Sequence, residues 1–232
     1  MNKMQKPTLY FLSGTMCTPQ LWEYVCKDIS EFECVFIDTT SVTSFREIDT
    51  LLDEMLEQNV FVVAFSMGAY GTLHFAVSHP NRIQKLMIIA ASADGLNAQE
   101  LQLRKSTIDF LEKHNYKGIS TVRAQQFLHP QHHQNQELIQ VIKDMDATLG
   151  KEVLVRQLKA TSQRIDITKK LSQIQAKVHV IASKEDALVN IKKVKHTQQQ
   201  FSKATISIIK NCGHMIPLEM PSLVRESIFR FF

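Results

Sequence analysis

The chain has 232 residues, of which 44% are hydrophobic and 22% charged, and this composition excludes an intrinsically disordered protein. The formal net charge of +4 comes without any basic run that carries interleaved aromatic residues, which argues against nucleic acid as a partner. No apolar stretch approaches the roughly 20 residues of a transmembrane helix, and neither a GxGxxG nor a Walker A motif is present. We therefore expect no membrane partner and no cofactor.

The cysteines and the N-terminal segment indicate the compartment. Cys17, Cys26, Cys34 and Cys212 form no CxxC pair and have no metal-ligand spacing, so we expect reduced thiols and no metal site. The segment MNKMQKPTLYFL has an apolar run too short for a signal peptide and lacks a small-residue cleavage site. It is interpreted as leading into the first strand of a cytoplasmic protein.

Six apolar runs predict six β-strands. In chain order they lie at 8–12, 33–38, 60–66, 85–91, 177–183 and 205–211. Amphipathic helical patterns separate most of these runs, and another closes the chain. Because parallel strands need crossover helices, the alternation predicts an α/β fold with a doubly wound, mostly parallel six-stranded sheet.

One long stretch interrupts the alternation. Between residues 96 and 165 the sequence is polar and helix-like, with Gly150 among the expected helix breaks. We predict a helical cap at 96–165, inserted after the fourth strand, and a core formed by 1–95 and 166–232. The cap is expected to cover the C-terminal edge of the sheet, where open α/β folds place their ligand sites.

Three polar residues follow the predicted ends of three different strands. Ser66 comes at the end of the third run, Asp186 a few residues after the fifth, and His214 after the sixth. A serine hydroxyl becomes a nucleophile when a base takes its proton, and an imidazole can do so near neutral pH. A carboxylate behind the imidazole orients it. Since strand ends of a parallel sheet share one edge, we predict Ser66 as nucleophile, His214 as base and Asp186 as the orienting acid.

The same residues resemble the α/β-hydrolase superfamily. The pentapeptide A-F-S-M-G is similar to that family's G-x-S-x-G turn, with Ala64 in place of the first glycine, and the chain order serine, aspartate, histidine is the family's order. The loop L-S-G-T-M-C resembles the usual H-G loop, with Ser13 in place of the histidine. The resemblance implies an oxyanion hole formed by the backbone N–H groups of Thr15 and Met67.

Several residues keep a competing interpretation. Ser66 is also consistent with an ordinary helix N-cap, and Asp94 competes with Asp186 because some superfamily members carry the acid after the fourth strand. The histidines of 129–133 lack a matching carboxylate or cysteine pattern, so a cap loop is predicted there instead of a metal site. An apolar acyl pocket is predicted from Met16, Trp22, Phe127 and Met215. Trp22 and Phe127 are equally consistent with a place in the core.

By this resemblance the protein is a serine carboxylesterase that hydrolyses an acyl ester through an acyl-enzyme on Ser66. Its plan is similar to that of small esterases such as the pimeloyl-ACP methyl ester esterases, which hold an acidic carrier protein with basic cap residues. A corresponding basic patch is predicted at Lys151, Arg156, Lys159 and Arg164, with a solvated helix face as the competing interpretation.

Three other functions are consistent with the same residues. A thioesterase would use the same triad of serine, histidine and aspartate as an esterase. The lyases of menaquinone synthesis (SHCHC synthases) also use it and need pocket arginines, for which Arg123 is the cap residue that the sequence nominates. A hydrolase-fold receptor would bind a small ligand without turnover.

Overall fold

The computed structural model describes residues 6–232, which form one six-stranded sheet in which all paired strands are parallel. The strands are β1 Thr8–Leu12, β2 Glu33–Ile37, β3 Val60–Phe65, β4 Ile83–Ile89, β5 Lys177–Ser183 and β6 Ala204–Ile209. Their order across the sheet is β2-β1-β3-β4-β5-β6. The predicted α/β fold with its parallel six-stranded sheet is confirmed.

Helices connect the strands and close the chain. They are α1 Glu23–Cys26, α2 Phe45–Met55, α3 Ser66–Ser78, α4 Ala98–Lys113, α5 Thr121–Gln125, α6 Gln136–Ser162, α7 Ile191–Gln199, α8 Ile216–Glu219 and α9 Pro221–Phe231. Short 3-10 helices lie at Pro19–Trp22, Pro130–His132 and Thr168–Gln173. In the part of the chain that the structure describes, no helix is both long and apolar enough to cross a membrane.

The sheet is buried on both faces, which explains why its strands read as continuous apolar runs. Tyr10 and Leu12 of β1 belong to a cluster that includes side chains of α2 and α3. Leu9 and Phe11, which point to the opposite face, belong to a second cluster with Trp22 and side chains of α9. The sheet is therefore a rigid platform, and its strand ends can position catalytic groups accurately.

The helices α4, α5 and α6 follow one another between β4 and β5. Gly150 interrupts α6 with φ 70° and ψ −176°, a conformation that glycine adopts without a Cβ penalty. The two halves of α6 therefore run in different directions, and the second half reaches the C-terminal edge of the sheet.

Two predictions concern the thiols and the N-terminal segment. All four cysteines are free, and burial raises the pKa of the Cys17 thiol to about 12, so that this group is unreactive at neutral pH. The interpretation that the N-terminal segment is no signal peptide falls partly on residues 1–5, which lie outside the described range.

Candidate active site

The turn between β3 and α3 presents Ser66 in a strained conformation. Its φ is +50°, in the left-handed region that a residue with a side chain rarely adopts. Strain of this kind persists only where the surroundings hold it. Here the N–H of Gly68 donates to the carbonyl oxygen of Ser13 at 3.1 Å, and a Cβ on Gly68 would lie 2.5 Å from that oxygen. Phe65, and not Ser66, occupies the N-cap position of α3, so the serine hydroxyl does not cap the helix.

The structure brings the three predicted catalytic residues together. His214 Nε2 lies 3.1 Å from Ser66 Oγ, and His214 Nδ1 lies 2.8 Å from Asp186 Oδ2. The other carboxylate oxygen of Asp186 accepts the N–H groups of Leu188 at 2.7 Å and Val189 at 2.9 Å, which fixes its orientation. The side chains of His214 and Asp186 are only 6% and 2% exposed. This arrangement lets the imidazole take the proton of Ser66 while the carboxylate holds the ring.

The two predicted oxyanion donors, Thr15 and Met67, line the same cavity as Ser66. Met67 is the second residue of α3, and N–H groups in the first turn of a helix have no acceptor within that helix. Thr15 lies in the turn after β1, next to Met16, whose N–H donates to the side chain of Gln157 at 2.8 Å. Gln157 belongs to α6, so the cap holds the loop that carries Thr15 through a buried residue that the sequence analysis missed.

The cavity beside Ser66 is small, with a volume of about 50 Å³. Typical ligand sites measure about 300–1,000 Å³, so this cavity is much smaller than most of them. Tyr70 forms part of its wall and donates a hydrogen bond from its hydroxyl to the carbonyl of Ile165 at 2.7 Å. Burial raises the pKa of Tyr70 to about 12, so the hydroxyl stays neutral. Arg104 and Arg164 complete the wall on the cap side.

Comparison with known proteins shows the family to which the chain belongs. The family model of the Ndr family matches residues 37–232. This chain belongs to the Ndr family. The match includes Ser66, Asp186 and His214 and begins after the oxyanion loop that contains Thr15.

Solved structures with the α/β-hydrolase fold are similar to this Ndr-family chain over its whole length. A thermophilic esterase from Thermogutta terrifontis has a TM-score of 0.84 at 16% identity, over 97% of this chain and 90% of that chain. The enol-lactonase from Burkholderia xenovorans LB400 has a TM-score of 0.83 at 13% identity, over 100% and 93%. The 2-hydroxy-6-oxo-6-phenylhexa-2,4-dienoate hydrolase from Rhodococcus sp. strain RHA1 has a TM-score of 0.70 at 17% identity, over 98% and 91%. At such identities the likeness shows the fold alone.

The four residues predicted to form an acyl pocket lie outside the lining of the cavity. Trp22 is fully buried, and its indole N–H donates to the hydroxyl of Ser13 at 2.9 Å. Met215 packs in the same core cluster, and its N–H donates to the carbonyl of Phe127 at 3.2 Å. Met16 is held by its own backbone bond to the cap. Trp22, Phe127 and Met215 therefore pack in the core cluster on one face of the sheet and support the loops around Ser66 from there.

Glu219 holds the loop that carries His214, a role that the sequence analysis did not identify. Its carboxylate is buried and accepts the N–H of Gly213 at 2.9 Å and that of His129 at 2.7 Å. The N–H of His214 donates to the carbonyl of Phe127 at 2.8 Å, and a Cβ on Gly213 would lie 2.5 Å from the nitrogen of His129. The signal in the sequence was an acidic residue inside the otherwise apolar run I-P-L-E, directly after the histidine.

We expect Glu219→Gln to lower the free energy of unfolding by about 2 kcal/mol. The two carboxylate oxygens each accept one backbone N–H, whereas the amide of glutamine has one neutral oxygen and an NH₂ group that cannot accept the second. Urea denaturation measures this change. Glu226→Gln is the matched control, since Glu226 is 65% exposed and, among residues 6–232, pairs only with Arg230 at 3.4 Å. We expect a change below about 0.5 kcal/mol for this variant. Equal stability of the two variants would contradict the role assigned to Glu219.

The four residues of the predicted basic patch do not share one exposed face. Lys151 and Arg156 donate to backbone carbonyls at 3.0 Å and 2.7 Å. Lys159 forms an ion pair with a glutamate of α4 at 2.6 Å. Arg164 turns inward and lines the cavity beside the nucleophile.

The other candidate residues do not line the cavity that contains Ser66. The guanidinium of Arg123 stacks over Phe127, 4.8 Å from the ring centroid, and does not line the cavity. Asp94 makes no hydrogen bond to His214, and its Oδ2 is buried without a partner among residues 6–232. The side chain of His129 accepts the N–H of Gln131. In the described part of the chain no three metal-ligating side chains cluster.

A larger depression, of about 500 Å³, lies on the cap between residues 115–118 and 146–151. Tyr116 and Asp146 line it and form a hydrogen bond with each other, and Asp146 also accepts the N–H of Ile119 at 2.8 Å. The polar groups of Tyr116 and Asp146 are thus engaged within the cap. None of the triad residues lines this depression, so we assign the chemistry to the smaller cavity.

Proposed function

We propose that this chain is a serine carboxylesterase that hydrolyses a small acyl ester through an acyl-enzyme on Ser66. The observation that carries the proposal is the 3.1 Å contact between His214 Nε2 and Ser66 Oγ, with Asp186 2.8 Å behind the imidazole. The cavity that Ser66 shares with Thr15 and Met67 supports it, because an oxyanion hole is needed beside the nucleophile.

The residues support a two-step reaction. Ser66 Oγ attacks the ester carbonyl carbon while His214 Nε2 takes the hydroxyl proton, and the oxyanion that forms accepts hydrogen bonds from the N–H groups of Thr15 and Met67. The C–O bond to the alcohol breaks, and His214 returns the proton to the leaving alcohol. A water molecule, deprotonated by His214, then attacks the acyl-enzyme, releases the carboxylic acid and restores Ser66.

Hydrolysis of p-nitrophenyl esters from acetate to decanoate tests this function. We expect turnover with an optimum at the shortest acyl chains, because the cavity of about 50 Å³ cannot hold a long one. A rate that stays the same in Ser66→Ala, or no turnover on any ester, would contradict a serine esterase. An optimum at decanoate would contradict the cavity as the acyl site.

A binding protein without turnover is the second candidate, because the Ndr family is often non-catalytic. A fluorophosphonate probe labels an activated Ser66 in an enzyme and in a receptor with an intact triad alike. Turnover alone separates the two functions, and the ester series measures it.

More specific reactions would use the same triad. A thioesterase would cleave a short acyl thioester, and an SHCHC-synthase-like lyase would need the arginines that here are Arg104 and Arg164 instead of Arg123. A carrier protein, if it delivers the substrate, would meet Lys151 and Lys159 at the cap surface. A cytoplasmic location is part of the proposal.

A further inference from the structure

Two arginines line the cavity that contains Ser66. Arg104 belongs to α4, and Arg164 follows the end of α6. They are the only charged side chains in the lining of this cavity, as far as residues 6–232 are concerned. Neither one lies within 4 Å of a carboxylate oxygen of the described residues. Two positive charges therefore line the cavity of Ser66 without an ion pair to a carboxylate of the described residues.

Arg164 is held in place by neutral groups. Its Nε donates to the carbonyl of Asp94 at 2.7 Å, and its Nη2 donates to the carbonyl of Ser92 and, at 2.9 Å, to the hydroxyl of Ser92. Its guanidinium lies over the ring of Tyr70, 4.5 Å from the centroid. These contacts orient the group while Nη1 finds no acceptor within residues 6–232. The donors of Nη1 are thus available to a bound molecule.

Arg104 has still fewer partners. Its Nη1 donates to the hydroxyl of Thr161, and its Nε and Nη2 have no acceptor in the described chain. Burial lowers the pKa of both guanidinium groups, and the charge of Arg104 adds to this effect on Arg164, while Asp94 and Glu100 oppose it. Asp94 and Glu100 lie beyond ion-pair distance of both guanidinium groups, and a buried cation gains from an anion in direct contact, so the site is electrostatically suited to an anionic ligand.

We propose that this cavity binds a substrate with a free carboxylate a few bonds from the scissile carbonyl, and that Arg104 and Arg164 bind that carboxylate. Guanidinium groups match carboxylates in geometry and charge, since two parallel N–H groups reach two oxygens. The cavity of about 50 Å³ restricts the chain between the two groups to a few atoms. That the substrate is an ester rests on the proposed function, whereas binding of the carboxylate does not.

Two kinds of ester carry such a group. In a half-ester of a short dicarboxylic acid, such as monomethyl succinate, the carboxylate lies on the acyl side. In an acylated hydroxy acid, such as acetoxyacetate, it lies on the alcohol side. Both present a carboxylate to the same two arginines, and the experiment below compares them.

Calorimetric titration of Ser66→Ala with these two anions tests binding apart from catalysis. We expect at least one of the anions to bind about tenfold or more tightly than its neutral methyl ester, dimethyl succinate or methyl acetoxyacetate. Adding Arg104→Gln is expected to weaken binding of the anion about 10- to 100-fold, the usual effect of losing a charged hydrogen-bond donor. Adding Arg123→Gln is the matched control, because Arg123 is a cap arginine outside the cavity, and we expect no effect. Equal binding of anions and neutral esters, or no effect of Arg104→Gln, would overturn the inference.

Turnover by the unmodified triad gives the second readout. We expect kcat/KM of one anionic ester to exceed that of its neutral ester, and Arg104→Gln or Arg164→Gln to reduce this ratio about 10- to 100-fold. Arg164→Gln also removes hydrogen bonds to Ser92 and can therefore destabilise the fold. If the Arg164 variant does not fold, the Arg104 variant alone decides the test. Hydrolysis of neutral esters without preference for an anion would overturn this inference and leave the esterase intact. Binding of the anion without turnover of any ester would support the inference and contradict the esterase.

Discussion

Ser66→Ala is expected to reduce kcat for a p-nitrophenyl ester by about 10⁶-fold, because removal of Oγ removes the atom that forms the acyl-enzyme. Residual catalysis over water of about 10³–10⁴-fold would come from the oxyanion donors and from binding. Alanine is as restricted as serine at the φ of +50°, and the hydroxyl makes its one hydrogen bond to His214, so we expect the fold to be unchanged. Circular dichroism of the variant checks this last point.

Ser78→Ala is the matched control for this loss, since Ser78 is an exposed serine at the end of the same helix α3. We expect its kcat to equal that of the unmodified chain. A fall in kcat of less than about 100-fold in Ser66→Ala would mean that another group attacks the ester, and the assignment of the nucleophile would be wrong. A fall with loss of the circular dichroism signal would point to unfolding and would call for labelling of Ser66 by a fluorophosphonate.

Asp186→Asn is expected to reduce kcat by about 10⁴-fold, because a neutral amide can donate a hydrogen bond to Nδ1 and so favours the imidazole tautomer that cannot accept the serine proton. The N–H groups of Leu188 and Val189, at 2.7 Å and 2.9 Å, still find an oxygen in asparagine, so the loop is expected to keep its structure. The steady-state rate on a p-nitrophenyl ester measures the effect, and KM is expected to change little.

Glu185→Gln removes an exposed carboxylate next in sequence to Asp186 and is the control for a general change in charge. We expect it to leave kcat unaltered. Were Glu185→Gln to lose as much activity as Asp186→Asn, the role of Asp186 would be disproved. Asp94→Asn extends the comparison, because Asp94 was the competing acid and makes no hydrogen bond to His214, so we expect it to leave kcat unaltered.

The sequence alone determined the sheet and the place of the triad. Strands that are buried on both faces of a sheet have continuous apolar sequences, and the helices between them indicate that the strands run parallel. The C-terminal ends of β3, β5 and β6 are therefore expected at the same edge of the sheet. Ser66, Asp186 and His214 follow those ends within a few residues, so local sequence position was enough to predict that they meet.

Tertiary structure alone decided what surrounds the nucleophile. Whether a cap side chain faces the cavity depends on the direction in which a helix runs after a break, and Gly150 changes the direction of α6 midway. Arg164 was expected on an exposed patch and instead turns inward to the carbonyls of Ser92 and Asp94. Nothing in the run L-Q-L-R-K distinguishes Arg104 from an ordinary exposed helix residue. Trp22 was equally consistent with the pocket and with the core, and the structure places it in the core. Such contacts join residues far apart in the chain, and no local pattern encodes them, because they depend on how the cap packs on the sheet.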